Sequence, residues 1–225
     1  MTTAMRDDAD LTGRARIRDA AFRLFARDGV AATSMRAVAK EAGTSPALVV
    51  HHFGSKEQLV AAVDQHVIAS FHAALASVSF DPNALSFEAG SAFAQVIGGD
   101  PTVRQYLRRA LLEEQPSSTA LIDDLFDLIV AGMGALDEAG ALRDDSDAMW
   151  RPYQVLFIVL GPLLLEPLLQ RHFDGHAFDN DLLMRRTASN HDVFARGLLA
   201  PGVSRRARSR NPKRPPRPSG SSSTA

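Results

Sequence analysis

The sequence predicts an all-α protein, and three observations carry that prediction. Ala, Leu and Arg recur at helical spacing through nearly the whole chain. Val, Ile and Thr never cluster into the apolar/polar alternation of a strand. Glycine, proline and short polar clusters punctuate the chain where helices would have to end. With 225 residues, 45% of them apolar, there is material for a sizeable core.

The first helix is expected over residues 12–28, after a flexible segment 1–11. Ile17, Ala20, Ala21, Leu24 and Phe25 fall on one face, and Gly29 supplies a stop. Thr33 is a suitable N-cap for a short helix over Ser34 to Ala42, which turns Met35, Val38 and Ala39 to one side and ends at Gly43. Pro46 suits the first turn of a third helix, capped by Thr44 or Ser45 and running to about His52. After Phe53-Gly54, the run Ser55-Lys56-Glu57-Gln58 has the form of a capping box. It should start a long helix through Leu59, Val63 and Val67 to about residue 78.

Five further helices are expected, over 86–97, 101–114, 117–139, 146–172 and 179–199, and together they make a bundle domain over 79–200. Pro152, Pro162 and Pro167 fall in the fourth, which should therefore start near Pro152 or be kinked. From 201 to 225 the composition is Arg, Lys, Pro, Ser and Gly, too polar to fold alone, and a disordered basic tail is expected.

The net charge of −1 would argue against a polyanionic partner, but it averages unlike parts. Residues 79–200 hold nine basic against eighteen acidic residues, and residues 201–225 hold seven basic and none acidic. From Arg14 to Lys56 there are eight basic residues and only Asp19, Asp28 and Glu41 against them. Two short helices joined by about three residues around Gly43 have the dimensions of a helix-turn-helix. Its polar positions Thr33, Ser34, Arg36, Lys40, Thr44, Ser45, His51, His52 and Lys56 are donors or cations, an electrostatic footprint for phosphates. The plainer alternative is a solvated basic hairpin.

Residues Gly29 to Leu59, GVAATSMRAVAKEAGTSPALVVHHFGSKEQL, resemble the DNA-binding motif of the TetR family of bacterial transcriptional regulators. The segment His52-Phe53-Gly54-Ser55-Lys56-Glu57-Gln58-Leu59 is its most specific part, and the resemblance runs from about 12 to 60. It implies a helix-turn-helix DNA-binding domain over 12–60, and a C-terminal helical bundle for ligand binding and dimerisation. It further implies a homodimer on a palindromic double-stranded DNA operator, with repression the family's usual mode. Residues 46 to 52 become the recognition helix, so that Pro46, Ala47, Val50, His51 and His52 face the major groove with Thr44. Arg36 reaches a guanine edge or a phosphate, and Thr33, Ser34, Ser45 and Lys56 position the DNA backbone. The family's frequent Lys-Gly pair is Pro46-Ala47 here, and its common phosphate-binding Tyr is Val50. Either His51 takes that phosphate or Val50 packs on a thymine methyl.

The acidic body cannot be the DNA-contacting surface, so its work is pairing and sensing. The last two long helices are expected to form the two-fold interface, although the apolar run Val155 to Leu165 could equally be a buried central helix. Phe93, Tyr106, Phe126, Met133, Trp150, Tyr153 and Phe157, together with Phe87, supply the side chains that a pocket for a small apolar effector needs, or else plain core.

Other classes fit poorly. No G-x-S-x-G, H-E-x-x-H or Walker sequence is present, so neither a catalytic residue nor an organic cofactor is expected. The absence of cysteine removes disulfides, thiolate metal sites and cysteine nucleophiles. His172 and His176 are separated by the helix-breaking Asp174-Gly175, so no structural metal is expected. The apolar run Val155 to Leu165 falls short of the roughly 20 residues of a membrane span. The first ten residues lack a signal peptide's apolar stretch, and the expected location is the cytoplasm. The competing reading is a non-enzymatic helical interaction protein whose basic tail contacts nucleic acid or anionic surfaces.

Overall fold

The computed structural model describes residues 2–78, 85–113 and 116–200, with side chains from 12, 87 and 120 onward in the three segments. The expected basic tail over 201–225 lies outside the described residues. Ten helices occur among them: α1 Thr2–Asp28, α2 Met35–Glu41, α3 Pro46–Phe53, α4 Lys56–Leu75, α5 Leu85–Gly99, α6 Pro101–Leu112, α7 Pro116–Glu138, α8 Arg151–Leu164, α9 Glu166–His172 and α10 Asn180–Gly197.

The backbone of α1 is helical from Thr2, ten residues ahead of the expected start. No glycine or proline precedes Gly13, and the early residues lack the apolar stripe by which the start was judged. The predicted helix over 146–172 is two helices, bent by 69° at Leu165. Pro162 and Pro167 each remove a backbone donor within one turn of that break. Among the described residues no single helix is long and apolar enough to cross a membrane.

The core starts with the stripe read from α1: Ile17, Ala20, Ala21, Leu24 and Phe25 are all buried. They pack with Val38 and Ala39 of α2, Val49 and Phe53 of α3, and Leu59, Val63, Val67 and Phe71 of α4. The same cluster continues without a gap into Phe93, Ile97, Leu107, Leu121, Leu125, Leu160, Leu163 and Leu183 of the body. A smaller cluster of Leu136, Ala141, Leu142, Ala195 and Leu199 closes the far end. There Leu142 and Leu199 form an isolated antiparallel bridge.

Head and body are also tied by polar contacts. Arg109 on α6 donates from Nε to the Ala26 carbonyl at 2.8 Å and from Nη2 to the Arg27 carbonyl, while its Nη1 lies 3.1 Å from Glu113. The guanidinium thereby caps orphan carbonyls at the C-terminal end of α1, where a cation also complements the helix dipole. Arg109→Ala should lower stability by about 1 kcal/mol, a charged hydrogen bond discounted for partial exposure, as measured by urea unfolding.

Candidate nucleic-acid interface

The α2–α3 turn is built by its own residues. Gly43 takes φ +63, which only glycine adopts without cost. Gly43 N donates to the Lys40 carbonyl at 3.2 Å and Thr44 N to the Ala39 carbonyl at 2.9 Å, closing α2 with a Schellman motif. Ser45 then caps α3, its Oγ accepting from Leu48 N at 3.2 Å, with Pro46 in the first turn. The cap of α2 is Ser34, whose Oγ accepts from Ala37 N at 3.1 Å, and not Thr33. Thr33 is buried and donates its hydroxyl to the Gly29 carbonyl at 2.8 Å, so it closes the loop after α1 and does not face outward as a DNA contact would. Ser55 caps α4 by accepting from Gln58 N at 3.3 Å. Its own N–H goes to the Phe53 carbonyl at 2.7 Å, so only half of the expected capping box forms.

On α3 only Val49 and Phe53 are buried, spaced by one turn. Pro46, Ala47, Leu48, Val50 and His51 are left in solvent, with Val50 50% exposed. Three exposed aliphatic side chains on one short helix is a poor surface for water and a suitable one for thymine methyls. Leu48 was not among the contacts expected from sequence. The signal was present, because a helix anchored at Val49 and Phe53 must turn Leu48 off the core. Val50 and His51 are both accessible, so both ways of replacing the missing tyrosine are sterically open. His52 is set back against α1, where a Cβ added to Gly13 would lie 3.5 Å from its Nε2. The two histidines thus face different ways, with ring centroids 5.5 Å apart.

Arg36 and Lys40 are exposed on α2, and Lys56 Nζ lies 3.4 Å from the Ala31 carbonyl, on the loop after α1. The acidic residues of this stretch are each matched to an arginine: Arg18–Asp19 at 2.7 Å, Arg27–Asp28 at 2.8 Å and Arg23–Glu41 at 3.4 Å. The surplus charge therefore resides on Arg14, Arg16, Arg36, Lys40 and Lys56. Arg14 stands over the Phe53 ring, 4.8 Å from its centroid, and so joins the base of α3 to this basic surface.

The body places the expected pocket residues apart. Phe126 stacks on Tyr153 with centroids 4.7 Å apart, and Trp150 meets Tyr153 edge-on at 5.7 Å. Trp150, Tyr153 and Phe157 are exposed, Phe157 being 60% exposed, so this aromatic group lies at the surface. Met133 packs on the small far core. Tyr106 is buried, and its hydroxyl donates to Asp64 Oδ1 at 2.7 Å, joining α6 to α4. Phe93 does line a cleft, with Ile97, Ile158, Val159 and Phe194, between α5, α8 and α10. Of the residues expected to serve a pocket or else plain core, Phe93 and Tyr106 are buried, whereas Trp150, Tyr153 and Phe157 are exposed. Among the described residues no group of three metal-ligating side chains converges.

Residues 17–63 match the model described as bacterial regulatory proteins, tetR family. The chain is 56% identical over 59 residues to the HTH-type transcriptional regulatory protein RaaS of Mycobacterium tuberculosis, covering 26% of this chain and 27% of that one. It is 52% identical over 44 residues to the HTH-type transcriptional regulator BetI of Rhizobium meliloti, covering 20% and 22%. The chain thus spans only about a quarter of the length of these curated relatives. Over the fold, it resembles SmeT, the repressor of a Stenotrophomonas maltophilia multidrug efflux pump, with a TM-score of 0.65 at 22% identity, covering 84% of this chain and 92% of that one. A strongly matching head and its helix-turn-helix geometry agree that residues 17–63 form a DNA-binding domain of the bacterial tetR family, and the chain as a whole is similar in fold to SmeT.

Proposed function

We propose that the protein is a ligand-responsive repressor that binds a palindromic operator as a homodimer in the cytoplasm. The observation that carries this reading is α3: a capped helix anchored by Val49 and Phe53, presenting Leu48, Val50 and His51 to solvent beside a surplus of cationic side chains. In this reading Pro46, Ala47, Leu48, Val50 and His51 enter the major groove. Arg36, Ser34, Thr44, Ser45 and Lys56 hold the backbone, and His52 supports α3 from the α1 side. Selection of bound sequences from random duplex DNA tests it, with a palindrome as the expected product and no enrichment as the refuting one.

Pairing is supported by the exposed apolar side chains Trp150, Tyr153, Phe157 and Leu164, which share one face of α8. An exposed apolar helix face of that kind is unusual on a monomer. Dimerisation through α8 and α10 would cover it and hold two copies of α3 one helical turn of DNA apart, ~34 Å. A strict monomer in sedimentation at micromolar concentration would refute the pairing. An effector acts by binding better the arrangement in which the two α3 helices no longer match successive major grooves.

Lys56→Ala should weaken binding to all duplexes and reduce the slope of log affinity against log salt by about 1. An unchanged slope in a salt titration by fluorescence anisotropy would remove Lys56 from the phosphate contacts. Deleting 203–225 should leave operator preference intact, since the reader is the head.

A further inference from the structure

A recognition helix meets base edges with its N-terminal residues foremost. On α3 that end is apolar. Pro46, Ala47 and Leu48 are all exposed, and none has a side chain that can hydrogen-bond. Pro46 also lacks a backbone donor, and the Oγ of Ser45 accepts from Leu48 N at 3.2 Å as the helix cap. One turn further on Val50 is exposed as well, while Val49 and Phe53 anchor the opposite side. Among the described residues, His51 is the one exposed side chain of α3 that can hydrogen-bond.

The cations stand around this helix and not on it. Arg36 and Lys40 belong to α2, Arg14 rests over the Phe53 ring from α1, and Lys56 begins α4. They can hold phosphates or, for Arg36, a guanine, but α3 itself has little with which to distinguish bases by hydrogen bonds. What the major groove offers an aliphatic side chain is the C5 methyl of thymine, which neither cytosine nor a purine presents. Leu48 and Val50 are two residues apart, about 200° around the helix, so they flank the ridge of Ala47 and His51 on opposite sides and face different bases.

We propose that each operator half-site carries two thymines whose methyl groups pack on Leu48 and Val50, and that these contacts, more than hydrogen bonds, carry the base preference of α3. The inference rests on reading α3 as the recognition helix and names what that helix recognises. The gain is burial, because the exposed aliphatic side chain and the methyl both leave water on contact.

The test uses the full chain and the duplex enriched from random sequence, its thymines replaced one at a time by deoxyuridine, which differs only in lacking the methyl. Two positions in a half-site should each lose affinity about fourfold, the contribution of one buried methyl, and thymines outside the half-sites should lose none. Leu48→Ala should abolish the loss at one position and Val50→Ala at the other. Fluorescence anisotropy reads the affinities, and circular dichroism melts establish that each variant is folded. Leu48→Asn and Val50→Thr, polar and nearly isosteric, replace any alanine variant that does not fold. The proposal is overturned if the enriched half-site has no thymine, if deoxyuridine is tolerated at every position, or if the folded variants keep both losses of the unaltered chain. In those cases DNA reading by the head stands, and His51 or Arg36 must carry it. Failure to enrich any duplex overturns both readings.

Discussion

Phe71→Ala should cost about 3–5 kcal/mol, the range for removing a buried aromatic from a close-packed core. Phe71 has no exposed surface, and its ring lies 4.9 Å from that of Phe93. It sits on α4, the helix that leaves the head, and its neighbour is on α5, the first helix of the body. The cavity left behind cannot be filled by local sliding, because Val67 and Ile68 on the same turn of α4 are themselves buried. For a protein of this size the loss corresponds to a fall of roughly 10 °C in melting temperature. A thermal melt that moves by less than a few degrees would mean that the helices around Phe71 can collapse.

Asp64→Asn should stabilise the protein at pH 8 and leave it unchanged near pH 4. Asp64 is buried between α4 and α6, and burial pushes its carboxyl up to about 6 from the ordinary 3.8, against the opposing effect of the Tyr106 hydrogen bond. The negative charge of Asp124 on α7 raises it further. An acid whose affinity for its proton is raised by folding costs nothing below its unfolded value. The cost grows as pH rises from about 4 to about 6 and is complete above that, since the folded state then has to give up a proton it holds more tightly. At 1.36 kcal/mol per pH unit the penalty at pH 8 is about 3 kcal/mol. Asparagine keeps an oxygen for the Tyr106 hydroxyl and has no charge to bury. Urea unfolding of both proteins at the two pH values checks this. A variant that is less stable at pH 8 would mean that the ionised carboxylate is held by its surroundings, not tolerated by them.

The head was legible in the sequence because its signals are local. The stripe Ile17, Ala20, Ala21, Leu24 and Phe25, the Gly43 turn, the Pro46 start and the Ser55 cap each report on a few neighbouring residues, and the structure has them all. Thr33 and Ser34 were confused because both residue types cap helices, and only the path of the loop decides which hydroxyl faces the helix. The body was legible as helices but not as a site. Whether Trp150, Tyr153 and Phe157 line a pocket or a surface depends on which helices meet, a long-range matter that composition does not encode.

The apolar cluster that runs unbroken from Ile17 to Leu183 has a mechanical consequence. A chain with two separate cores would have a joint, and the recognition helix could swing on it while the body stood still. Here α3 rests on α1 and α4, and these share their buried faces with the body helices. Arg109 adds a polar rivet between α1 and α6. Packing of that kind leaves no joint at the head, so in the proposed dimer a displacement of α8 or α10 would have to pass to α3 through the shared core.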